Sequence, residues 1–80
     1  MIKTTADDLL NQGIRILTSV SDSARLDAEV LLDSACNIDR ISLAKDGDQL
    51  VSKEKVSQFE SLISRRLAGE PIAYLTGNKE

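Results

Sequence analysis

The chain has 80 residues, of which 41% are apolar and 29% are charged, and its formal net charge is −3. This length allows one small domain and excludes a large catalytic cleft between two lobes. The acidic balance argues against a general nucleic-acid binder, which needs a basic surface. Histidine is absent, and the one cysteine, Cys36, has no partner for an internal disulfide or a thiolate metal cluster.

Neither a membrane nor a nucleic acid is expected as a direct partner. No apolar run approaches the ~18–20 residues that span a bilayer. The residues from Met1 to Ala6 lack the long apolar stretch of a signal peptide, so a cytoplasmic location is expected. The two aromatic residues, Phe59 and Tyr74, are too few to build a base-stacking surface.

Helical spacing of apolar residues dominates the first half of the chain. It predicts a first helix from about Ala6 to Val20. Thr5 and Asp8 have the spacing of a capping box at its start. A second helix is predicted to end near Cys36, because Asn37 readily takes the left-handed conformation that stops a helix. The apolar stripe of this second helix consists of Ala24, Ala28, Leu31, Leu32, Ala35 and Cys36.

Two helices with clear start signals are predicted further along the chain. Asp39 is suited to cap a short helix from Arg40 to Asp46, which ends at Gly47. Ser52 is the predicted N-cap of a longer helix, and Gly69 is suited to the position just after that helix. The predicted buried face of the longer helix consists of Val56, Phe59, Leu62, Ile63 and Leu67.

A last short helix is predicted from Pro71 to Thr76, with Gly77 as its stop. Since no segment alternates convincingly with period two, the predicted fold is all-α, a small bundle of about five helices, three longer and two short. This helical domain is expected to cover residues 1–77, and residues 78–80 are expected to begin a linker at a domain boundary. Central positions on the apolar stripes predict a core that contains Leu10, Leu17, Leu31, Phe59 and Ile63.

Known catalytic and metal-binding motifs do not fit the sequence. A calcium loop built around Gly47 would place Ala44 and Lys53 at ligand positions, so Asp46-Gly47-Asp48 is better explained as a turn. Cys36 lies on an apolar stripe without a His or a second Cys to activate it. The glycines are too dispersed for a phosphate-binding loop. We therefore expect no catalytic, cofactor-binding or metal-binding residue, and no enzymatic activity from these 80 residues alone.

The pair Asp22-Ser23 leaves an alternative open. Small acidic carrier domains attach a phosphopantetheine arm to the Ser of an Asp-Ser-Leu motif at a helix start, and the chain resembles them in size, charge and helix count. It differs in having Ala24 in place of the Leu and Arg25 beside it. Capping of the second helix by Asp22 or Ser23 is the favoured interpretation. A generic helical protein-interaction domain is a third one.

The segment from Arg65 to Gly77 is the most informative part of the sequence. Two cations at a helix end, a Gly cap and a Pro restart explain much of it. They do not explain Glu70 before Pro71, nor Tyr74 in a chain so poor in aromatic residues. Because a Tyr combines an apolar ring with a polar tip, it suits a packing junction or an interface. We therefore predict a junction role for this segment.

Residues 65–80 read Arg-Arg-x-x-Gly-Glu-Pro-Ile-Ala-Tyr-Leu-x-Gly-x-x-Glu. This pattern resembles the segment that closes the N-terminal domain of the peptide chain release factor glutamine methyltransferases of the HemK/PrmC type. Residues 26–32, Leu-Asp-Ala-Glu-Val-Leu-Leu, are similar to the Asp-Ala-Glu-x-Leu-Leu helix of the same domain. Arg40-Ile41-Ser42-Leu43 and the helix begun by Ser52 follow in the expected order, so the resemblance covers essentially the whole chain.

The resemblance implies an N-terminal substrate-recognition domain of an enzyme that moves a methyl group from S-adenosylmethionine to the glutamine of the Gly-Gly-Gln motif in release factors. The implied partners are the peptide chain release factor and the enzyme's own C-terminal methyltransferase domain. The glycine-rich cofactor loop and the Asn-Pro-Pro-Tyr motif of that second domain do not occur here, so S-adenosylmethionine is expected only in the full-length enzyme. The candidates for interdomain or partner binding are Arg65, Arg66, Glu70, Pro71, Tyr74 and Gly77.

Overall fold

A computed structural model describes residues 4–76 of the chain, and these residues form five α-helices. The all-α prediction is confirmed, and three longer helices and two short ones occur in the predicted order. The helices are α1 (Ala6–Leu17), α2 (Ala24–Cys36), α3 (Arg40–Asp46), α4 (Lys53–Leu67) and α5 (Ile72–Leu75). No helix within residues 4–76 is long and apolar enough to cross a bilayer.

The start of α1 satisfies its backbone donors with both side-chain and backbone partners. The Asp8 N–H donates to Thr5 Oγ1 at 3.1 Å, and the Thr5 N–H donates to the Asp8 carboxylate, so the predicted capping box is present. The Ala6 N–H donates to the Gln49 carbonyl at 3.0 Å, and the Asp7 N–H donates to the Gly47 carbonyl at 2.9 Å. The loop between α3 and α4 therefore completes the first turn of α1.

α1 is three residues shorter than predicted. The Thr18 hydroxyl donates back to the Ile14 carbonyl at 2.6 Å, and the Ser19 hydroxyl donates to the Ile16 carbonyl at 3.3 Å. Such bonds compete with the regular backbone ladder. Val20 is 45% exposed, so burial does little to hold this segment in a helix.

The stop and start signals of the other helices mostly act as predicted. Asn37 ends α2 with φ 59°, and the Asp39 carboxylate accepts from the Ser42 N–H at 2.8 Å to begin α3. Ser52 caps α4 through the Lys55 N–H at 3.3 Å. Ser23 stands at the N-cap position of α2, but among the described residues its side chain makes no capping hydrogen bond.

The core lies among α1, α2 and α4, and α5 closes one side of it against α2 and α4. All five residues predicted for its centre are buried, namely Leu10, Leu17, Leu31, Phe59 and Ile63. The predicted buried face of α4 is wrong at one position, because Leu67 is 43% exposed. At about 100° per residue, Arg66 lies only ~20° around the helix from Phe59, whereas Leu67 lies ~80° away. Arg66 rather than Leu67 therefore faces the bundle in the last turn.

Candidate functional site at the end of α4

The end of α4 is a sharp turn that the backbone itself defines. The Glu70 N–H donates to the Arg65 carbonyl at 3.2 Å, and the Gly69 N–H donates to the Arg66 carbonyl at 3.0 Å. Gly69 has φ 108°, which side-chain-bearing residues rarely adopt. This is the Schellman pattern, and it confirms Gly69 as the residue that ends the helix.

The side chain of Glu70 folds back onto α4. Arg65 Nη2 lies 2.8 Å from Glu70 Oε1, and Arg65 Nε lies 3.2 Å from each carboxylate oxygen. The hydrogen bond to Glu70 and the charge of that carboxylate raise the pKa of Arg65. About half of the Arg65 side chain is exposed, so solvent screens this ion pair and it adds little stability.

The backbone of Glu70 is held by the second arginine. Arg66 Nη1 donates to the Glu70 carbonyl at 3.4 Å, and Arg66 Nε donates to Asp27 Oδ2 on α2 at 3.3 Å. The same carboxylate oxygen accepts from the Ser21 hydroxyl at 2.7 Å, and Ser21 Oγ accepts from the Ser23 N–H at 3.1 Å. The side chains of Arg66 and Asp27 are only 22% and 10% exposed, so this network is largely shielded from solvent.

α5 follows directly from this turn. The Pro71 carbonyl accepts from the N–H groups of Tyr74 and Leu75 at 3.1 and 3.2 Å, so the helix begins one residue later than predicted. Leu75 is buried in the core, whereas Tyr74 on the same short helix is 69% exposed. After this turn, α5 therefore packs Leu75 into the core and leaves the aromatic ring of Tyr74 on the surface.

The structure brings five of the six sequence-predicted site residues into one segment. Arg65, Arg66 and Glu70 are in direct contact, and Pro71 and Tyr74 follow them in the turn and in α5. Gly77 lies outside the described residues. The segment of residues 65–76 is called the junction segment below.

Comparison with known proteins decides the family. The family model of the PrmC N-terminal domain matches residues 8–77. The chain belongs to this family. It is 44% identical over 73 residues to the release factor glutamine methyltransferase of Aliivibrio fischeri, a match that covers 90% of this chain and 26% of that protein.

Further relatives of the PrmC N-terminal domain carry the same name. The release factor glutamine methyltransferase of Nitratidesulfovibrio vulgaris is 36% identical over 82% of this chain and 22% of its own length. That of Escherichia coli is 40% identical over 75% of this chain and 22% of its own length. The chain thus spans about a quarter of the length of these relatives. No solved structure matches it significantly.

Family membership weakens the carrier-domain alternative. The matched family is not one of carrier domains, and the chain resembles carriers only in general features and at Asp22-Ser23. The backbone N–H of Ser23 donates to Ser21 Oγ, and the network continues through Asp27 to Arg66 at the end of α4. The start of α2 is thereby tied to the junction segment.

Asp27 is the site residue that sequence reasoning missed. Asp27 is buried among the described residues, which is unusual for a carboxylate. Its spacing carries a signal, since it lies three residues after Ala24 and four before Leu31, both on the apolar stripe of α2. Arg66 lies in the same way three residues after Ile63 on α4. A charge in register with each of two apolar stripes indicates a buried ion pair between the helices.

Cys36 behaves as the sequence predicts. It is buried, and this burial raises the pKa of its thiol despite the opposing charge of Lys55. Its Sγ lies 3.6 Å from the Lys55 carbonyl. A thiol with a raised pKa is a poor nucleophile at neutral pH, so Cys36 serves packing between α2 and α4.

Proposed function

We propose that this domain is the substrate-recognition module of a release factor glutamine methyltransferase, and that it contributes binding rather than chemistry. The observation that carries the proposal is the junction segment, where two arginines hold the carboxylate and the carbonyl of Glu70. The names of the relatives support the substrate, and the chain's quarter share of their length supports a second, catalytic domain in the full-length protein. The release factor and that second domain are the two partners.

S-adenosylmethionine is assigned to the full-length enzyme and not to this domain. Residues 4–76 contain three glycines: Gly13 is covered by the Phe59 ring, Gly47 lies against the Asp7 carboxylate, and Gly69 is a lone helix-end residue. None of them forms a loop that could cradle the cofactor, so the described residues do not fit it. In the full-length enzyme, the methyl group comes from the cofactor, and this domain binds the protein substrate.

Remote binding can accelerate such a reaction by positioning. Methyl transfer to an amide needs the nitrogen held close to the methyl carbon, and positioning supplies a large part of the barrier reduction. A second contact with the release factor makes the arrival of the glutamine loop effectively intramolecular, provided that the two domains keep a fixed relation. The turn at Gly69 and Glu70 is suited to keep that relation.

The charge distribution suits a basic surface on the release factor. Residues 1–50 carry five basic and nine acidic side chains, whereas residues 51–80 carry five basic and four acidic ones. An acidic surface raises the association rate with a basic partner, and salt reduces this effect. We place this encounter in the cytoplasm, where release factors act.

Steady-state methylation by the full-length enzyme and by a form that lacks residues 1–77 tests the proposal. We expect truncation to raise KM for the intact release factor by at least about tenfold, a change of ~1.4 kcal/mol, while the Kd for S-adenosylmethionine stays unchanged. A short peptide that contains the Gly-Gly-Gln motif is the control, because it cannot reach a remote site and both enzymes should methylate it equally. Equal KM for the intact release factor in both enzymes would leave this domain a stabilising role only.

A further inference from the structure

We infer that Ser21, Asp27 and Arg66 form a positioning network that sets the direction in which the chain leaves the bundle through α5. This inference deepens the proposed function and rests on it. The three residues, called the Asp27 network here, join the loop before α2, the first turn of α2 and the last turn of α4. Arg66 extends the network to the Glu70 carbonyl, the last one before Pro71.

The contacts of Asp27 and Arg66 leave little freedom at the turn. One oxygen of the carboxylate receives both the Ser21 hydroxyl and Arg66 Nε, at 2.7 and 3.3 Å. The planar guanidinium of Arg66 then offers a second nitrogen to the Glu70 carbonyl. Because the donors of a guanidinium have a fixed geometry, the positions of α2 and of the turn are coupled to each other.

Hydrophobic packing alone would not provide this direction. Leu75 anchors α5 by burial, but burial is non-directional and tolerates a range of helix orientations. The exposed pair of Arg65 and Glu70 is screened by solvent. The largely buried pair of Arg66 and Asp27 is screened much less, and charge-assisted hydrogen bonds are directional. The Asp27 network is therefore the part of the junction segment best suited to fix an angle.

The test uses the full-length enzyme with Arg66→Met, which keeps most of the side-chain volume and removes both hydrogen bonds. We expect KM for the intact release factor to rise about fivefold, with no change in the Kd for S-adenosylmethionine or in methylation of the short peptide. Spin labels on the two domains should report a broader interdomain distance distribution. The matched control is Arg25→Met, which removes an exposed arginine from its ion pair with Glu29, both on α2, and should change none of these values.

A double variant guards against loss of folding. Arg66→Met alone leaves the Asp27 carboxylate buried without its cation, whereas Asp27→Asn with Arg66→Met leaves no unpaired charge. We expect the double variant to fold and still to show the raised KM, because the Glu70 carbonyl remains unheld. An unchanged KM in a folded variant would overturn the inference. Unfolding of both variants would also overturn it, because the network would then serve stability alone.

The outcomes of the two proposals are distinguishable. If removal of residues 1–77 raises KM for the release factor but Arg66→Met does not, only the Asp27 network fails as a positioning device. If removal of residues 1–77 leaves KM unchanged, the recognition role fails, and the positioning role fails with it. If both changes raise KM and the peptide control is unaffected, both proposals are supported.

Discussion

Gly13 on α1 lies directly against Phe59 on α4. A Cβ atom at position 13 would stand 2.9 Å from Cζ of the Phe59 ring, 3.1 Å from Ile63 Cδ1 and 3.3 Å from the Cβ of Ala28. The absence of a side chain therefore lets three helices approach one another at this point. Close-packed interiors respond to a change of even one methyl group.

Gly13→Ala should destabilise the domain although alanine favours helices. Alanine gains about 1 kcal/mol in helix propensity over glycine, but overpacking against a fully buried ring costs about 1–3 kcal/mol. We expect a net loss of about 1 kcal/mol, measured by urea denaturation. Ser57→Ala, at an exposed position of α4, is the control and should raise the free energy of unfolding by about 0.3 kcal/mol. If the Gly13→Ala domain is more stable than the parent, the side chains around position 13 can move to accommodate the added methyl group.

Phe59→Ala should bring the domain close to unfolding. The ring is 1% exposed, and the loss of a buried Phe costs about 3–5 kcal/mol. A chain of this length has a total stability of roughly 4–12 kcal/mol. Thermal melting followed by circular dichroism should show a large drop in Tm. Leu67→Ala on the same helix is the comparison and should cost less than about 1 kcal/mol, since Leu67 is well exposed; equal losses would mean that the α4 face is misassigned.

A substitution at Gly69 should destabilise the domain through backbone strain and not through a steric clash of the added side chain. Apart from Gly69 and its two chain neighbours, no atom of residues 4–76 lies within 4 Å of the place where its Cβ would stand, yet φ is 108°. Gly69→Ala should therefore cost about 1–2 kcal/mol through strain alone. D-alanine at this position, introduced by chemical synthesis, matches the positive φ and should cost nothing in urea denaturation. An equal loss with both enantiomers would contradict this explanation.

Asp39 should make stability depend on pH in the acid range. The Asp39 carboxylate accepts a hydrogen bond from the Ser42 N–H, and this bond lowers the pKa of Asp39 below its usual value near 3.8. The unfolded chain then binds the proton more readily, so the stabilisation is present above the usual pKa and is lost as pH falls through the lowered one. Urea midpoints between pH 2.5 and pH 6 should fall less steeply with acid in Asp39→Asn than in the parent.

The pKa of Asp46 is shifted in the opposite direction, so Asp46 should change the pH dependence of stability in the opposite way. A hydrogen bond with Asp48 and the charge of that neighbour raise the pKa of Asp46, so its contribution is present below the usual pKa and lost as pH rises. Asp46→Asn should therefore steepen the loss of stability with acid. Identical pH profiles for the Asp39 and Asp46 variants would rule out both assignments.

Tyr74→Ala in the full-length enzyme should raise KM for the release factor, but less than removal of residues 1–77. The ring is largely exposed in this domain, so its loss should change the Tm of the isolated chain little. Tyr74→Phe keeps the ring and separates its packing from the hydroxyl. If Tyr74→Ala has the same KM as the parent enzyme, Tyr74 has no role in the junction.

The sequence predicted helices and their stops well because these depend on local chemistry. Thr5, Asn37, Ser52 and Gly69 all act through neighbours within a few residues, which spacing alone reveals. The pairing of Asp27 with Arg66 depends instead on how α2 and α4 meet, and the two residues lie 39 positions apart. Periodicity placed each charge beside an apolar stripe, but only the packed helices show that the two are partners.

The contact between the α3–α4 loop and the start of α1 has a consequence for the order of folding. Thr4 and Val51 are joined by a backbone hydrogen bond of 2.9 Å, and Ala6 and Asp7 donate to the same loop. During synthesis, these residues leave the ribosome before their partners, which lie 40 to 47 residues later in the chain. The first turn of α1 therefore cannot be completed until the α3–α4 loop has been made, and until then the backbone N–H groups of Ala6 and Asp7 stay open to water.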